Sequence, residues 1–414
     1  YEISACLVGS EMCIRDSTST GLIFYPDEEA ITFPTVVSKK KGEDAWVVGE
    51  DAYAFALDGK GIITDKLLKL TRKDGVATID GIKYKGVDIL KIYFREIINV
   101  GMEKLYKEKP EEVVVAITGL DEDIVKDIRG AFVGLGYQPN HIHVISKEES
   151  FIYFVLSLKK DIWNNKVGMF ELSDVSLTYY EMLVNRNSRK LLVSAESETM
   201  DEAFNLQILN NPSGAKLADK ILTSVAEKVM DKKKFSSIFL TGQAFSQHEW
   251  ADGFIGFLCS RGRVYLDTNI FAKGAAFKGV DLASGGNIYN ITATCEGRLK
   301  SDVFINVESK GKSCKVYLGK VGDFWDDPGT ELLLIPDESE MIEIHVVSVD
   351  GKHKKIIPVS LDFLPKRPVK TRRICFKTNF LSNKTMNLEI SDAGFGDMYP
   401  AMDVSRSIEV SLWD

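Results

Sequence analysis

The sequence predicts a mixed α/β domain over residues 18–284 and an antiparallel β-rich domain over residues 285–414. Two patterns support this division. Up to Ser284, short apolar runs typical of strands alternate with amphipathic segments that have helical spacing. After Ser284, polar and apolar residues alternate with a period of two, as in "DVFINVES" and "MIEIHVVSV", and turns such as "DDPG" and "VDGK" separate the runs. We therefore expect mixed sheets with helices first, and then a β-sandwich-like domain.

Six apolar runs predict the strands of the first domain. They are residues 33–37 ("FPTVV"), 45–48 ("AWVV"), 113–118 ("VVVAIT"), 142–145 ("IHVI"), 167–172 ("VGMFEL") and 237–241 ("SIFLT").

Helices are predicted between these strands. An apolar stripe recurs at helical spacing at Val87, Leu90, Phe94 and Ile97. In "SKEESFIYFVLSL", Ser146 and Glu149 have the spacing of a capping box, which predicts a helix starting there. A further helix is expected across "SGAKLADKILTSVAEKVMD".

The first 17 residues have a different character from the rest of the chain. Reverse translation of residues 7–17, "LVGSEMCIRDS", resembles a transposase-based sequencing adapter base for base. A secretory signal is disfavoured because no positive region precedes the apolar run and "GSE" interrupts it. We interpret residues 1–17 as translated adapter and expect the native first strand to be missing. Ile3–Val8 is then expected to be poorly integrated, or to fill the place of that strand only because it is apolar.

Composition indicates an ordinary globular chain, with 44% hydrophobic and 27% charged residues and a net charge of −8. This mild acidity argues against a broad nucleic-acid surface. No apolar run has the length of a membrane span. Beyond residue 17 the cysteines are scattered, with no CxxC pair, which favours a reducing cytoplasm; they are Cys259, Cys295, Cys314 and Cys375.

The order of motifs in residues 18–283 resembles the actin-like (ribonuclease H-like) ATPase fold, and most closely the nucleotide-binding domain of DnaK-type heat-shock chaperones. The motifs are "FPTVV" with "VVGEDAYAFAL", then "VVVAITGLDEDIVKDIRGAFVGLGYQPNHIHVISKEESFIYFVL", then "FLTGQAFSQHEW" and "VYLDTNIFAKGAAFKGV". Further on, "DFLPKRPVKTRRICFKTNF" and "LEISDAGFGDMYP" resemble a little-characterised DnaK-like family of bacteria. The resemblance implies two lobes that hold ATP or ADP with Mg²⁺ between them, and a β-rich domain that binds a peptide or protein partner.

In this superfamily, loops of small residues let backbone N–H groups reach the phosphates, and carboxylates hold magnesium through water. The first loop belongs to the segment that residues 1–17 replace. The second corresponds to "MFELSDVSLTYYEM", which contains no glycine, and the adenosine turn "TGQ" keeps one glycine of two. The residues predicted to bind nucleotide by this resemblance are Gly242, Gly274, Glu171, Ser173, Asp174 and Lys66.

Each of these predictions has a structural alternative. Glu171 and Asp174 would face solvent in a hairpin turn, and Lys66 and Lys69 would lie on a solvated helix face. Glu149 is explained by the capping box alone. His141 and His143 alternate along one strand face, but two ligands make a weak metal site.

In the second domain, the basic segment 366–373, "KRPVKTRR", suits either an acidic partner or the protected flank of an edge strand. Phe395 in "DAGFGD" suits either a packed turn or a peptide groove.

Two functional hypotheses remain. In the first, the protein is a DnaK-like nucleotide-binding protein with a degenerate phosphate site, and lobe closure is coupled to partner binding by the β-rich domain; any enzymatic activity would be ATP hydrolysis. In the second, the same fold is a non-catalytic scaffold or interaction protein, as the missing glycines favour.

Overall fold

The computed structural model describes residues 3–8, 12–15, 20–23, 31–105, 110, 112–173, 176–186, 190–202, 204–246, 249–337, 340–368 and 370–413. The chain divides into two compact units, residues 1–291 (unit 1) and 292–414 (unit 2). Unit 1 is mixed α/β and unit 2 is built from strands. The boundary lies close to residue 284, where the sequence pattern changes.

Unit 1 contains seventeen strands among its described residues, the last of which crosses the boundary. They are β1 (Ile3–Val8), β2 (Met12–Arg15), β3 (Thr20–Ile23), β4 (Ile31–Pro34), β5 (Val36–Lys40), β6 (Trp46–Val48), β7 (Gly61–Asp65), β8 (Val76–Ile79), β9 (Ile82–Lys85), β10 (Glu112–Ile117), β11 (Ile142–Ser146), β12 (Lys166–Leu172), β13 (Leu177–Asn185), β14 (Leu191–Met200), β15 (Phe235–Thr241), β16 (Arg263–Leu266) and β17 (Ile291–Thr294). Its helices are α1 (Glu50–Leu57), α2 (Leu67–Arg72), α3 (Gly86–Leu105), α4 (Glu122–Val133), α5 (Lys147–Ser157), α6 (Pro212–Val229), α7 (Asp252–Arg261) and α8 (Ile270–Ala283).

Two sheets form the framework of unit 1. The first has the strand order β11-β10-β1-β2, in which β10 and β11 are parallel and β1 is antiparallel to both β10 and β2. In the second, five strands run in the order β16-β15-β12-β13-β14. Strands β12, β15 and β16 are parallel to one another, while β12, β13 and β14 form an antiparallel meander.

Helices α5 and α8 lie between these two sheets. Small residues of α8, including Ala272 and Ala276, pack against Val114 of β10 and Ile145 of β11. On the other side, rings of α5 pack against Phe239 of β15. The far face of the second sheet is covered by α6 and α7, whose apolar residues complete a core that includes Phe170, Leu222, Leu240 and Phe254. The interior of unit 1 is therefore layered, with α5 and α8 as a shared middle layer.

Unit 2 consists of two four-stranded antiparallel sheets. The strands are β18 (Ser301–Ser309), β19 (Lys312–Gly319), β20 (Thr330–Leu334), β21 (Met341–Ser348), β22 (Lys354–Ser360), β23 (Ile374–Phe380), β24 (Thr385–Asp392) and β25 (Ser405–Ser411). Their orders are β19-β18-β21-β22 and β20-β23-β24-β25. Gly319 of the first sheet lies against the ring of Phe380 in the second, so the sheets are in contact. Alternate residues such as Phe376 and Leu388 are fully buried, as the period of two predicts.

None of the helices in the described ranges is long and apolar enough to cross a membrane.

Candidate functional site

Two of the predicted site residues of unit 1, Ser173 and Gly242, lie at one edge of the second sheet. Because β12, β15 and β16 are parallel, their carboxyl ends meet at the same edge, where ligands of open α/β sheets usually bind. Ser173 follows β12, Gly242 follows β15 and Asp267 follows β16. The sequence motifs taken for a phosphate loop and an adenosine turn are therefore neighbours in space.

Gly242 is held at this edge by a backbone conformation that favours glycine. Its φ is 103°, and a Cβ at this position would collide with the carbonyl oxygen of Leu172 at the end of β12. The turn after β15 can therefore pack directly on the turn after β12. The preceding residue, Thr241, is fully buried, and its hydroxyl oxygen has no hydrogen-bond partner among the described residues.

Ser173 is occupied by its own hairpin turn. Its N–H donates to the carbonyl of Ser176 at 2.9 Å, and its hydroxyl accepts from the N–H of Ser176 at 3.2 Å. These contacts close the turn with serine side chains, where the resemblance led us to expect glycines that would leave N–H groups open to phosphate. Asp174, also predicted to bind nucleotide, lies outside the described residues.

A polar row crosses the face of the second sheet that packs against α5. It consists of successive cross-strand partners on β14, β13, β12 and β15, namely Thr199, Thr178, Glu171 and Thr241. Glu171 is therefore on the inner face of the sheet and only 3% exposed. It does not face solvent in a hairpin, which was the structural alternative considered for it.

Glu171 is balanced by a buried cation, Lys147. The Nζ of Lys147 donates to both carboxylate oxygens, at 2.8 and 3.0 Å, and the hydroxyl of Tyr180 donates to Oε2 at 2.8 Å. Lys147 also lies over the ring of Phe271 in α8, 4.5 Å from its centroid. Burial lowers the pKa of Lys147, while Glu171 opposes that shift. Both carboxylate oxygens are thus used inside the protein, which leaves little of Glu171 to hold a hydrated Mg²⁺.

Lys147 is the site residue that the sequence analysis missed. It is the first residue of α5, directly after Ser146, whose side chain accepts from the N–H of Glu149 at 3.1 Å. A lysine in the first turn opposes the helix dipole, which favours negative charge there. That mismatch was a signal that Lys147 has a partner outside its own helix.

The two glutamates that follow Lys147 in the first turn of α5 contact different elements. Glu148, 7% exposed, accepts from the hydroxyl of Ser197 on β14, and its Oε2 has no partner among the described residues. Glu149 reaches Lys278 of α8 at 3.5 Å. The α5 N-terminus therefore connects β14, β12 and α8.

Gly274 and Lys66 lie in different places from the residues at the sheet edge. Gly274 is in the crossing of α8 and α5, where a Cβ would collide with the carbonyl oxygen of Ser150. The hydroxyl of Ser150 donates to the carbonyl of Phe271, which fixes the same crossing. Lys66 precedes α2 with a φ of 53° and is exposed, as is Lys69. The structure thus gives Gly274 a packing role and leaves Lys66 on the surface.

His141 and His143 share the carboxylate of Glu112, but only His143 is on β11, since His141 ends a 3-10 helix before it, so the predicted alternation along one strand is wrong for His141. His143 Nε2 lies 3.0 Å from Oε2 of Glu112 on β10, and His141 contacts the other oxygen. Burial lowers the pKa of His143, against the opposing effect of Glu112. Within the described ranges, no group of three or more His, Cys, Asp or Glu residues is arranged to hold a metal ion.

In unit 2, the arginines of the basic segment are used internally. Arg367 pairs with Asp392, Arg372 lies 3.7 Å from Glu340, and Arg373 donates to the carbonyls of Ala393 and Gly394. Among the described charged residues of this segment, Lys366 and Lys370 are exposed and the three arginines are half-buried. The segment therefore organises the following loop as well as carrying surface charge.

Comparison with known families agrees with the division into an α/β unit and a β-rich unit. Residues 20–296 match a family described as "Family of unknown function (DUF5716) C-terminal", and residues 298–412 match "Domain of unknown function (DUF8552)". The first match covers more than half of the chain, so the protein belongs to the DUF5716 family. A search of curated proteins gave no match.

Proposed function

We propose that unit 1 is a two-lobed actin-like domain related to that of DnaK-type chaperones, and that the protein is a scaffold or interaction protein that does not hydrolyse ATP. The fold part of the proposal is supported by the second sheet. In this sheet, β14, β13 and β12 are antiparallel, and β15 and β16 follow in parallel with β12. This is the strand arrangement of a ribonuclease H-like lobe.

The absence of hydrolysis is inferred from the ion pair between Lys147 and Glu171. Phosphoryl transfer on this fold depends on a metal ion held through carboxylates at the phosphate site. Here the carboxylate at that position is 3% exposed and shared between an ammonium group and a tyrosine hydroxyl. A divalent cation beside Glu171 would have to displace Lys147 or bear its repulsion.

The experiment is a phosphate-release assay on the full chain with ATP and Mg²⁺, beside the variant Lys147→Met. We expect no release above the buffer rate from the wild-type protein. Mg²⁺-dependent hydrolysis that Glu171→Gln abolishes would contradict the proposal, because it would show that Glu171 works as a metal-holding carboxylate.

A second candidate, binding of ATP or ADP without hydrolysis, is favoured by one observation. The buried hydroxyl of Thr241 has no described partner and lies beside Gly242 at the carboxyl edge of the parallel strands. Titration calorimetry with nucleotide, with and without Mg²⁺, tests this. Binding that weakens about tenfold in Thr241→Val would support it, and no detectable heat at millimolar nucleotide would exclude it.

A further inference from the structure

One loop of unit 2 exposes several large apolar side chains. We call residues 393–403, between β24 and β25, the apolar loop. In it Met398 is 83% exposed, Met402 54% and Phe395 39%. A close backbone pairing of Phe395 with Tyr399 folds the tip back on itself. Exposed large apolar residues grouped in this way commonly mark an interaction surface.

The apolar loop is held in one conformation by a buried ion pair at its base. Arg367 donates to the two oxygens of Asp392 at 2.8 and 2.7 Å, and their side chains are 6% and 3% exposed. Arg367 also donates to the carbonyl of Pro400 at 2.9 Å, and Asp392 accepts from the N–H of Met402 at 2.8 Å. A loop fixed before binding loses little conformational entropy when it docks.

A second surface of unit 2 carries a row of aromatic and apolar residues whose two ends are exposed, while Phe304 between them is only 5% exposed. Its four residues are successive cross-strand partners over β19, β18, β21 and β22, namely Tyr317, Phe304, His345 and Ile356. We call this row the aromatic face. Phe304 stacks on His345 with a centroid distance of 5.2 Å, and it packs against Tyr317 at 5.6 Å. Tyr317 and Ile356, at the two ends of the row, are 38% and 54% exposed.

At the Tyr317 end of the aromatic face the nearby charges are opposite in sign to those of the apolar loop, whereas an acid, Glu343, lies 3.9 Å from His345 farther along the row. On the aromatic face, Lys315 lies over the Phe304 ring at 4.1 Å and Lys320 over the Tyr317 ring at 5.1 Å. Both lysines are exposed. On the apolar loop, the exposed charged side chains are Asp397 and Asp403. Apolar residues with acids on one surface thus match apolar residues with lysines on the other.

We propose that this protein associates with itself through these two surfaces, the apolar loop of one copy docking on the aromatic face of the next. Met398 and Phe395 would pack against Tyr317 and Ile356, with the two aspartates near the lysines. Because the surfaces differ, the contact is head-to-tail, and each added copy leaves one free loop and one free face. The resulting assembly grows with concentration, as a closed ring where the rotation between copies closes and as an open chain where it does not.

Sedimentation velocity of the 414-residue chain over a wide concentration range tests the proposal. The wild type is expected to show a weight-average sedimentation coefficient that rises with concentration and falls at high salt, because exposed charge pairs are screened. Met398→Glu on the loop and Ile356→Glu on the face are each expected to weaken association by about tenfold or more. Leu333→Glu on β20, which is 64% exposed and belongs to neither surface, is the matched control.

Mixing the two variants gives the decisive measurement. Met398→Glu retains an intact face and Ile356→Glu retains an intact loop, so an equimolar mixture is expected to form 1:1 dimers and nothing larger. A wild type that stays monomeric at every concentration would overturn the proposal and leave a different protein as the partner of the apolar loop. Loss of association in Leu333→Glu to the same degree, or failure of the mixture to dimerise, would overturn it as well.

Discussion

Replacing Lys147 with Met is expected to destabilise unit 1 by about 3–5 kcal/mol. Methionine keeps most of the side-chain volume but removes the charge that balances Glu171. Both partners are only 4% exposed, so water cannot replace the lost ammonium group, whose two contacts measure 2.8 and 3.0 Å. The variant also loses the contact between the ammonium group and the Phe271 ring, which stabilises the folded protein by about 0.5–2 kcal/mol.

The double variant Lys147→Met/Glu171→Gln separates the ion pair from simple packing. Glutamine still accepts the hydrogen bond of Tyr180 and leaves no buried charge, so we expect it to recover about half or more of the lost stability. The single variant Glu171→Gln should be destabilised in turn, because it leaves the Lys147 ammonium buried without its counter-charge.

Hydrogen exchange of the β12 amides measures these changes within unit 1, apart from any separate unfolding of unit 2. Lys228→Met is the control, since this lysine is 72% exposed and lies 3.8 Å from Glu202; we expect a change under about 0.5 kcal/mol. Two results would show that the ion pair does not have the role assigned to it. One is a stability of Lys147→Met within about 1 kcal/mol of the wild type, and the other is a double variant no more stable than Lys147→Met.

Three further outcomes are expected from denaturation experiments. Gly274→Ala should lower stability by about 3 kcal/mol because its Cβ would overlap a facing backbone carbonyl. Gly256→Ala, whose Cβ would meet open space inside α7, should raise stability by about 0.5–1 kcal/mol. Equal effects of the two substitutions would contradict the close helix crossing. Burial lowers the pKa of His143, so below pH about 6.5 the unfolded chain binds a proton that the folded chain does not. Stability should therefore fall on acidification, and His143→Gln should flatten that slope; an unchanged slope would refute this assignment. Burial opposes ionisation of Asp392, but the hydrogen bonds from Arg367 outweigh it and hold its pKa below the usual value. Asp392→Asn should thus cost about 3–5 kcal/mol near neutral pH and much less below its folded pKa, with faster hydrogen exchange in residues 393–403; a loss independent of pH would contradict it.

Much of the local structure followed from sequence pattern. The capping box of α5 is confirmed at its serine, since Ser146 accepts the N–H of Glu149, and the helix begins at Lys147. The predicted stripe of α3 is confirmed by Leu90, Phe94 and Ile97, which are fully buried. Such features depend on neighbours three or four residues apart, which a single sequence displays directly.

The candidate site was harder to predict because its contacts join distant parts of the chain. Lys147 and Glu171 are 24 positions apart, one on helix α5 and the other on strand β12. The local pattern around Glu171 predicts a turn but does not show its buried partner. Which residue neutralises a carboxylate depends on how α5 crosses β12, and no local periodicity encodes that crossing. The role of Gly274 was hidden for the same reason.

The direction of β1 bears on the interpretation of residues 1–17. Ile3–Val8 pairs antiparallel with β10, from Ile3 opposite Ile117 to Val8 opposite Glu112, whereas β12 is parallel to β15 in the other sheet. The interpretation of this segment as translated adapter stays a prediction, and resequencing the gene would test it.

The crossing of α5 and α8 also restricts how the two sheets of unit 1 can move. The backbones approach so closely at Gly274 and Ser150 that one helix cannot slide along the other by a turn without driving a side chain into a carbonyl group. The hydrogen bond from Ser150 to Phe271 would be lost in the same movement. Sliding of packed helices is therefore disfavoured, and any relative motion of the sheets is expected to be a hinge rotation about this crossing.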